Sequence, residues 1–177
     1  MQVRTSRVLK PPAGLWGVER PMPLHRETRI VRYTAEQMYA VVAAIDRYPE
    51  FLPWCSKLVI RKREKEDDIE YVTAEMLVSY LTLQENYVSR VRLDYPALTI
   101  EARHIEGPFK RLDSRWRFVP LAKGSEVHFL IDFAFSNPLL SAVANAAFGL
   151  VAAKMQQAFI ARADALYGDS LVASINN

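Results

Sequence analysis

From Ser56 to Phe135 the chain keeps a two-residue hydrophobic period through six successive segments, and that period leaves few folds open. Leu58 and Ile60 alternate with Lys57, Arg61 and Arg63. Val72, Ala74, Met76 and Val78 share one side of the next segment, and Tyr87, Ser89, Val91 and Leu93 alternate with Val88, Arg90 and Arg92. Leu98, Ile100 and Ala102 then alternate with Thr99, Glu101 and Arg103, and Leu112, Ser114, Trp116 and Phe118 with Asp113, Arg115 and Arg117. Val127, Phe129, Ile131, Phe133 and Phe135 share the last face. Side chains point to opposite faces along a strand, so each segment reads as a strand with one face buried and one in water. The breaks at Asp67-Asp68, near Thr82, at Tyr95-Pro96, at Gly107-Pro108 and at Lys123-Gly124 are short. Short links between successive strands make an antiparallel meander with a single apolar face.

That face needs a cover. Leu24 to Arg32 alternates as an opening strand, and Thr34 with Gln37 forms a capping-box pattern ahead of Met38, Val41, Val42 and Ile45 at helical spacing. Pro49 and Pro53 then break the helix, leaving room for one short second turn, and crowd Tyr48, Phe51, Leu52 and Trp54 into a few residues. Asn137-Pro138 opens the last element, with proline at a favoured first helical position; the helix is expected to run to Tyr167 and stop at Gly168. The resulting expectation is an α+β architecture: a curved antiparallel sheet of about seven strands wrapped around a long C-terminal helix. Such a grip encloses a hydrophobic cavity unless large side chains fill it.

At 177 residues the chain is most simply one domain. The sequence pI near 9.0 invites a nucleic-acid reading, but the charge is unevenly placed. Residues 1–21 hold Arg4, Arg7, Lys10 and Arg20 against Glu19; removing them from the chain's 23 basic and 20 acidic residues leaves 19 of each. The body is therefore neutral, and DNA is not expected as a partner. The single cysteine, Cys55, rules out an internal disulfide. No apolar run reaches the roughly 18 residues of a membrane span. Residues 1–21 are expected to be a disordered basic extension without function, with Met22 as a candidate start; 22–168 form the domain and 169–177 a tail.

Four blocks carry a family resemblance. They are Tyr48-Pro49-Glu50-Phe51-Leu52-Pro53-Trp54-Cys55; Gly107-Pro108-Phe109-Lys110-Arg111-Leu112 leading to Trp116-Arg117-Phe118; Phe133-Ala134-Phe135-Ser136-Asn137-Pro138-Leu139-Leu140; and Lys154-Met155 with Ala158-Phe159 and Arg162-Ala163. In this order, over about residues 22 to 168, the chain resembles the coenzyme Q-binding START-like family of the polyketide cyclase and Bet v 1-like superfamily. The resemblance implies a helix-grip fold enclosing a hydrophobic tunnel for a polyisoprenoid quinone, and a lipid carrier or chaperone in respiration or ubiquinone biosynthesis. Some bacterial relatives are ribosome association toxins, so a ribosome-binding translation inhibitor is the alternative. One departure is the uncharged Phe148-Gly149-Leu150 within the last helix.

Candidate residues follow from parity and from that resemblance. The inward sheet face offers Met76, Tyr87, Val91, Ile100, His104, Trp116, Phe118, Phe129, Ile131 and Phe133. These form a tight core or line a tunnel according to how far the sheet curves. From the last helix, Val143, Ala147 and Val151 complete the lining. Tyr71, Tyr87, Ser89, Ser114 and His104 are candidates to bond a quinone's carbonyl oxygens. Pro138 to Ala153 carries no charged residue; a helix apolar all round is either deeply buried or meets a non-aqueous partner. Leu139 and Leu140, with Phe51, Leu52 and Trp54, are therefore expected at a cavity mouth that meets the membrane. Lys110, Arg111, Arg115 and Arg117 are expected as a basic rim for anionic head groups or ribosomal RNA phosphates.

His25, His104 and His128 have no metal-ligand spacing with one another or with Cys55. Neither a nucleotide-binding glycine loop nor a hydrolase nucleophile motif is present. The chain is accordingly expected to be no enzyme and to need no cofactor, with ubiquinone or a related lipid as its ligand. A cyclase would need an internal acid or base, for which His104 is the best candidate. The expected place is the cytoplasmic face of a bacterial inner membrane, beside respiratory or biosynthetic complexes, or the matrix side in a mitochondrion.

Overall fold

The computed structural model describes residues 24–80 and 83–175, with side chains except at positions 24, 80, 83, 140, 143–150, 152 and 169–175. Residues 1–21 thus lie outside the described part. The elements run β1 (Leu24–Val31), α1 (Ala35–Ala43), a 3-10 turn (Ile45–Arg47), α2 (Tyr48–Phe51), β2 (Cys55–Glu66), β3 (Ile69–Tyr80), β4 (Leu83–Asp94), β5 (Thr99–Glu106), β6 (Phe109–Pro120), β7 (Ser125–Phe135) and α3 (Pro138–Ile175). All seven strands form one antiparallel sheet in the order β1-β7-β6-β5-β4-β3-β2. The meander accounts for six of them, and β1 closes onto β7, leaving β1 and β2 as edges.

Local chemistry fixes the joints. Gln37 N–H donates to Thr34 Oγ1 at 3.2 Å and Thr34 N–H to Gln37 Oε1 at 2.9 Å, so the capping box starts α1 as its sequence predicts. Register shifts at Cys55/Lys57 and Ile60/Lys62 in β2, at Val88/Ser89 between β4 and β5, and at Phe109/Arg111 in β6 add bend and twist to the sheet. Gly107, at φ +131°, lies so close over β4 that a Cβ there would sit 2.6 Å from that of Tyr87. Leu98, assigned by alternation to the head of a strand, instead occupies the turn before β5 with φ 48°.

α3 differs from its expected length. It continues through Gly168 to Ile175 rather than stopping at the glycine. Glycine in a helix costs about 1 kcal/mol relative to alanine, too little by itself to end one. Near this end Arg32 Nη2 donates to Asp164 at 2.8 Å, and the Tyr33 hydroxyl donates to the same carboxylate. Further back, Arg162 bridges to Glu50 of α2 at 2.7 Å.

The concave face has two halves. α1 fills one of them, where Tyr33, Met38, Val41 and Val42 are buried with Phe118 and Val127; Tyr39 sets its ring edge-on to Phe118 at 6.0 Å. The convex face is a lattice of cross-strand ion pairs, including Arg61–Glu75, Arg63–Glu70, Arg103–Asp113, Arg115–Glu101 and Arg111–Asp132. Among the described residues no helix is long and apolar enough to cross a membrane.

Candidate functional site

The other half of the concave face is not filled. A cavity of about 120 Å³ lies between it and α3. Ala74, Met76, Tyr87, Ser89 and Val91 line it from β3 and β4; Ile100, Ala102, His104, Leu112, Ser114 and Trp116 from β5 and β6. Leu58, Phe129 and Ile131 add β2 and β7, Ile45, Tyr48, Leu52 and Trp54 the segment after α1, and Met155 and Phe159 the helix. Phe159 anchors the helix over the cavity, its ring edge-on to Trp116 at 5.1 Å and to Tyr48 and Phe51 at 5.3 Å each.

Within this apolar wall, polar groups gather on neighbouring strands. Ser89 sits directly opposite His104, and Ser114 opposite Ala102. The β5–β6 ladder ends at Arg103↔Asp113. Just beyond it the Leu112 N–H donates to His104 Nδ1 at 3.0 Å, a side chain replacing the missing backbone partner. A neutral imidazole that accepts at Nδ1 carries its proton on Nε2. His104 therefore presents an N–H donor, and its other nitrogen is occupied. The Tyr87 hydroxyl donates to the Met76 sulfur at 3.2 Å, a weak acceptor that a carbonyl oxygen would replace. Burial raises the Tyr87 phenol above its ordinary value, as it does that of Tyr48, whose hydroxyl donates to Val42 O at 2.5 Å. Both are neutral bonding groups. Phe109 closes this end, 5.3 Å from the Tyr87 ring, 6.2 Å from His104 and 4.6 Å from Phe135.

Met76, Tyr87, Val91, Ile100, His104, Trp116, Phe129 and Ile131 thus stand in the cavity wall where parity placed them, with Ser89 and Ser114. Other expected positions need correction. Phe118 and Phe133 face inward and are buried, but outside this wall: Phe118 lies against Tyr39, and Phe133 against Phe135. Val151 packs against the core rather than the cavity. Val143, Ala147 and Leu140 lie outside the described side chains. Tyr71 is on the convex face, its ring under the Arg90 guanidinium at 4.9 Å, so it cannot bond a cavity ligand.

The mouth and rim change as well. Leu52 and Trp54 are buried wall residues, because the chain turns inward after α2; they offer no surface to a membrane. Phe51 is half-buried against Tyr48, Phe159 and Arg162. Leu139 is 78% exposed and does not line the cavity. Arg111, Arg115 and Arg117 do not rim the cavity, since they have the opposite parity to the lining residues of β6. Arg111 holds both oxygens of Asp132, at 2.7 and 2.9 Å, Arg115 bonds Glu101, and Arg117 lies 3.5 Å from His128. Lys110 is exposed. Met155 and Phe159 are lining residues missed from the sequence; their four-residue spacing puts them on one helix face and was the available signal.

A curved seven-stranded sheet, a long helix across it and an apolar cavity between them agree with what the chain matches. Residues 31–160 match the family described as polyketide cyclase / dehydrase and lipid transport. The chain belongs to that family. Among its relatives is the ribosome association toxin RatA of Escherichia coli (strain K12), 34% identical over 155 residues that cover 87% of this chain and 95% of the relative. Another is the mitochondrial coenzyme Q-binding protein COQ10 homolog B of Xenopus laevis, 30% identical over 149 residues, 81% of this chain and 59% of the relative. The solution structure of an 18 kDa protein from Caulobacter crescentus superposes with a TM-score of 0.71 at 36% identity, covering 83% of this chain and 99% of that one. The family accordingly embraces relatives named for a bound quinone and relatives named for the ribosome.

Proposed function

We propose that this protein binds the ring of ubiquinone or a related polyprenyl lipid in the cavity and delivers it between membrane-bound sites, without catalysis and without a cofactor. The observation that carries this reading is the apolar cavity with a fixed N–H donor, His104, beside Ser89 and Ser114. A few polar groups in an apolar wall orient a ligand whose body is apolar. The coenzyme Q-binding relative supports the same ligand class. His104 is poorly suited to proton abstraction, because its basic nitrogen already accepts the Leu112 N–H. At about 120 Å³ the cavity is below the usual ~300 Å³ of a small-molecule site, so the wall yields to admit the ring. Each methylene buried gains about 0.8 kcal/mol over water but almost nothing over a bilayer, which keeps transfer reversible. The protein then works at a membrane surface, peripherally on the inner membrane of a bacterium or the matrix side in a mitochondrion, with exposed Leu139 near the contact.

Mass spectrometry of organic extracts tests this on protein purified from a quinone-making host, beside Ala102→Phe, which fills the cavity. A stoichiometric polyprenyl quinone in the wild type, lost in the variant, is expected. An empty wild-type protein overturns the proposal.

One feature of the convex face favours a second reading. Tyr71, Arg90, Arg92, Arg103 and Arg115 line a groove there, with Arg90 directly opposite Arg103 in the sheet, and only Glu101 and Asp113 among its lining residues are acidic. Each of these arginines holds a carboxylate, Arg90 that of Glu64, Arg92 that of Asp94, Arg103 that of Asp113 and Arg115 that of Glu101. Nucleic-acid phosphates, which guanidinium suits, would take the place of those partners; the RatA relatives are named for ribosome association. Sedimentation with ribosomes over a salt series decides it: phosphate contacts weaken steeply as salt rises, and no co-sedimentation at low salt rejects it.

A further inference from the structure

On α3, Gln156 lies between the two wall residues Met155 and Phe159. It is 2% exposed, and neither its amide oxygen nor its amide nitrogen has a hydrogen-bond partner among the described residues. No other buried side-chain nitrogen or oxygen among those residues is left in this way. Ser125, the other fully buried polar side chain, donates to Tyr33 O at 2.7 Å. Gln156 is on the same inner helix face as Phe159 and Ala163, one and two turns further on, both fully buried. A methionine has nearly the same length and neither an amide nitrogen nor an amide oxygen to leave unpaired, so the amide here works against the stability of the ligand-free fold.

Admitting a ring gives the amide a use. The wall has to yield, and its two helix residues differ in how readily they can. Phe159 is held by three rings, those of Tyr48, Phe51 and Trp116, whereas Met155 is a half-buried, flexible thioether. Displacing Met155 opens the helix beside Gln156. We propose that Gln156 is the helix-side anchor of the cavity ligand, a flat ring with oxygens at both ends, gripped between this amide and His104 on the sheet. This rests on the quinone reading and adds the second contact. The amide can turn to offer N–H to a ring carbonyl or C=O to the hydroxyl of the reduced ring, while His104, with Nδ1 occupied, offers only N–H.

Gln156→Met tests it through two readouts that a purely structural role would move together. Thermal unfolding of the ligand-free protein is measured beside binding of decylubiquinone, followed by quenching of the cavity tryptophans Trp54 and Trp116. The variant is expected to melt at or above the wild-type temperature yet bind about three- to tenfold more weakly, the loss of one net hydrogen bond. Gln156→Leu should repeat the pattern with a second apolar side chain. Binding within twofold of wild type overturns the proposal, and so does weaker binding accompanied by a lower melting temperature in both variants. Absence of quenching in the wild type instead removes the quinone reading itself, and this proposal with it.

Discussion

Phe159→Ala is the sharpest test of how α3 is held over the cavity. The ring is 2% exposed and meets three others edge-on, Trp116 at 5.1 Å and Tyr48 and Phe51 at 5.3 Å each. Burying a phenylalanine contributes about 1.5–3 kcal/mol, and each aromatic pair about 0.5–1.5 kcal/mol beyond its area. The sum overstates the loss, because Tyr48 and Trp116 also border an existing cavity and can relax into the gap. A loss of about 3–5 kcal/mol is therefore expected, the usual range for such truncations. Urea unfolding followed by tryptophan fluorescence reads it directly. With a slope of about 2–3 kcal/mol per molar for a chain of this size, the midpoint should fall by roughly 1–2.5 M at constant slope. A midpoint shift below about 0.3 M would mean that the ring is not what fastens the helix, and the account of the grip would be wrong.

Two further outcomes are expected. Gly107→Ala should cost about 1–3 kcal/mol, because φ +131° suits glycine alone and the new Cβ would meet that of Tyr87 at 2.6 Å; a neutral effect on thermal stability would contradict the geometry. Stability should also fall on the alkaline side. Burial pushes the Cys55 thiol from 9.0 up to about 11 and Tyr39 from 10.0 up to about 12. The unfolded chain releases those protons first, so their contribution is whole below about pH 9 and is lost progressively towards pH 12. Urea midpoints compared at pH 8 and pH 11 check this, and equal midpoints would refute it.

Much of this was legible in the residues. Strict alternation along β3 to β7 marked the inward side, and that is why Met76, Tyr87, Val91, Ile100, His104, Trp116, Phe129 and Ile131 all reach the cavity wall; in β1 it did not, since Ile30 is exposed and Val31 buried. Capping chemistry at Thr34 and Gln37 and the prolines at 49 and 53 marked where α1 begins and where the chain breaks. These are short-range effects, settled by neighbours along the chain or by the pleat of a strand. The tertiary structure decided the rest, because periodicity reports a face and not what stands opposite it. Phe118 and Trp116 share parity on β6, yet α1 covers the first and the cavity opens at the second. Trp54 reads as an interfacial aromatic but turns inward against the sheet. Arg111 reads as a free cation until Asp132, 21 residues on, arrives beside it. His104 is a lone histidine in the sequence; only the end of the β5–β6 ladder, which leaves the Leu112 N–H without a backbone partner, makes it an N–H donor towards the cavity. Each of these outcomes depends on contacts between residues distant in the chain, and those exist only once the sheet has curved and the helices have docked.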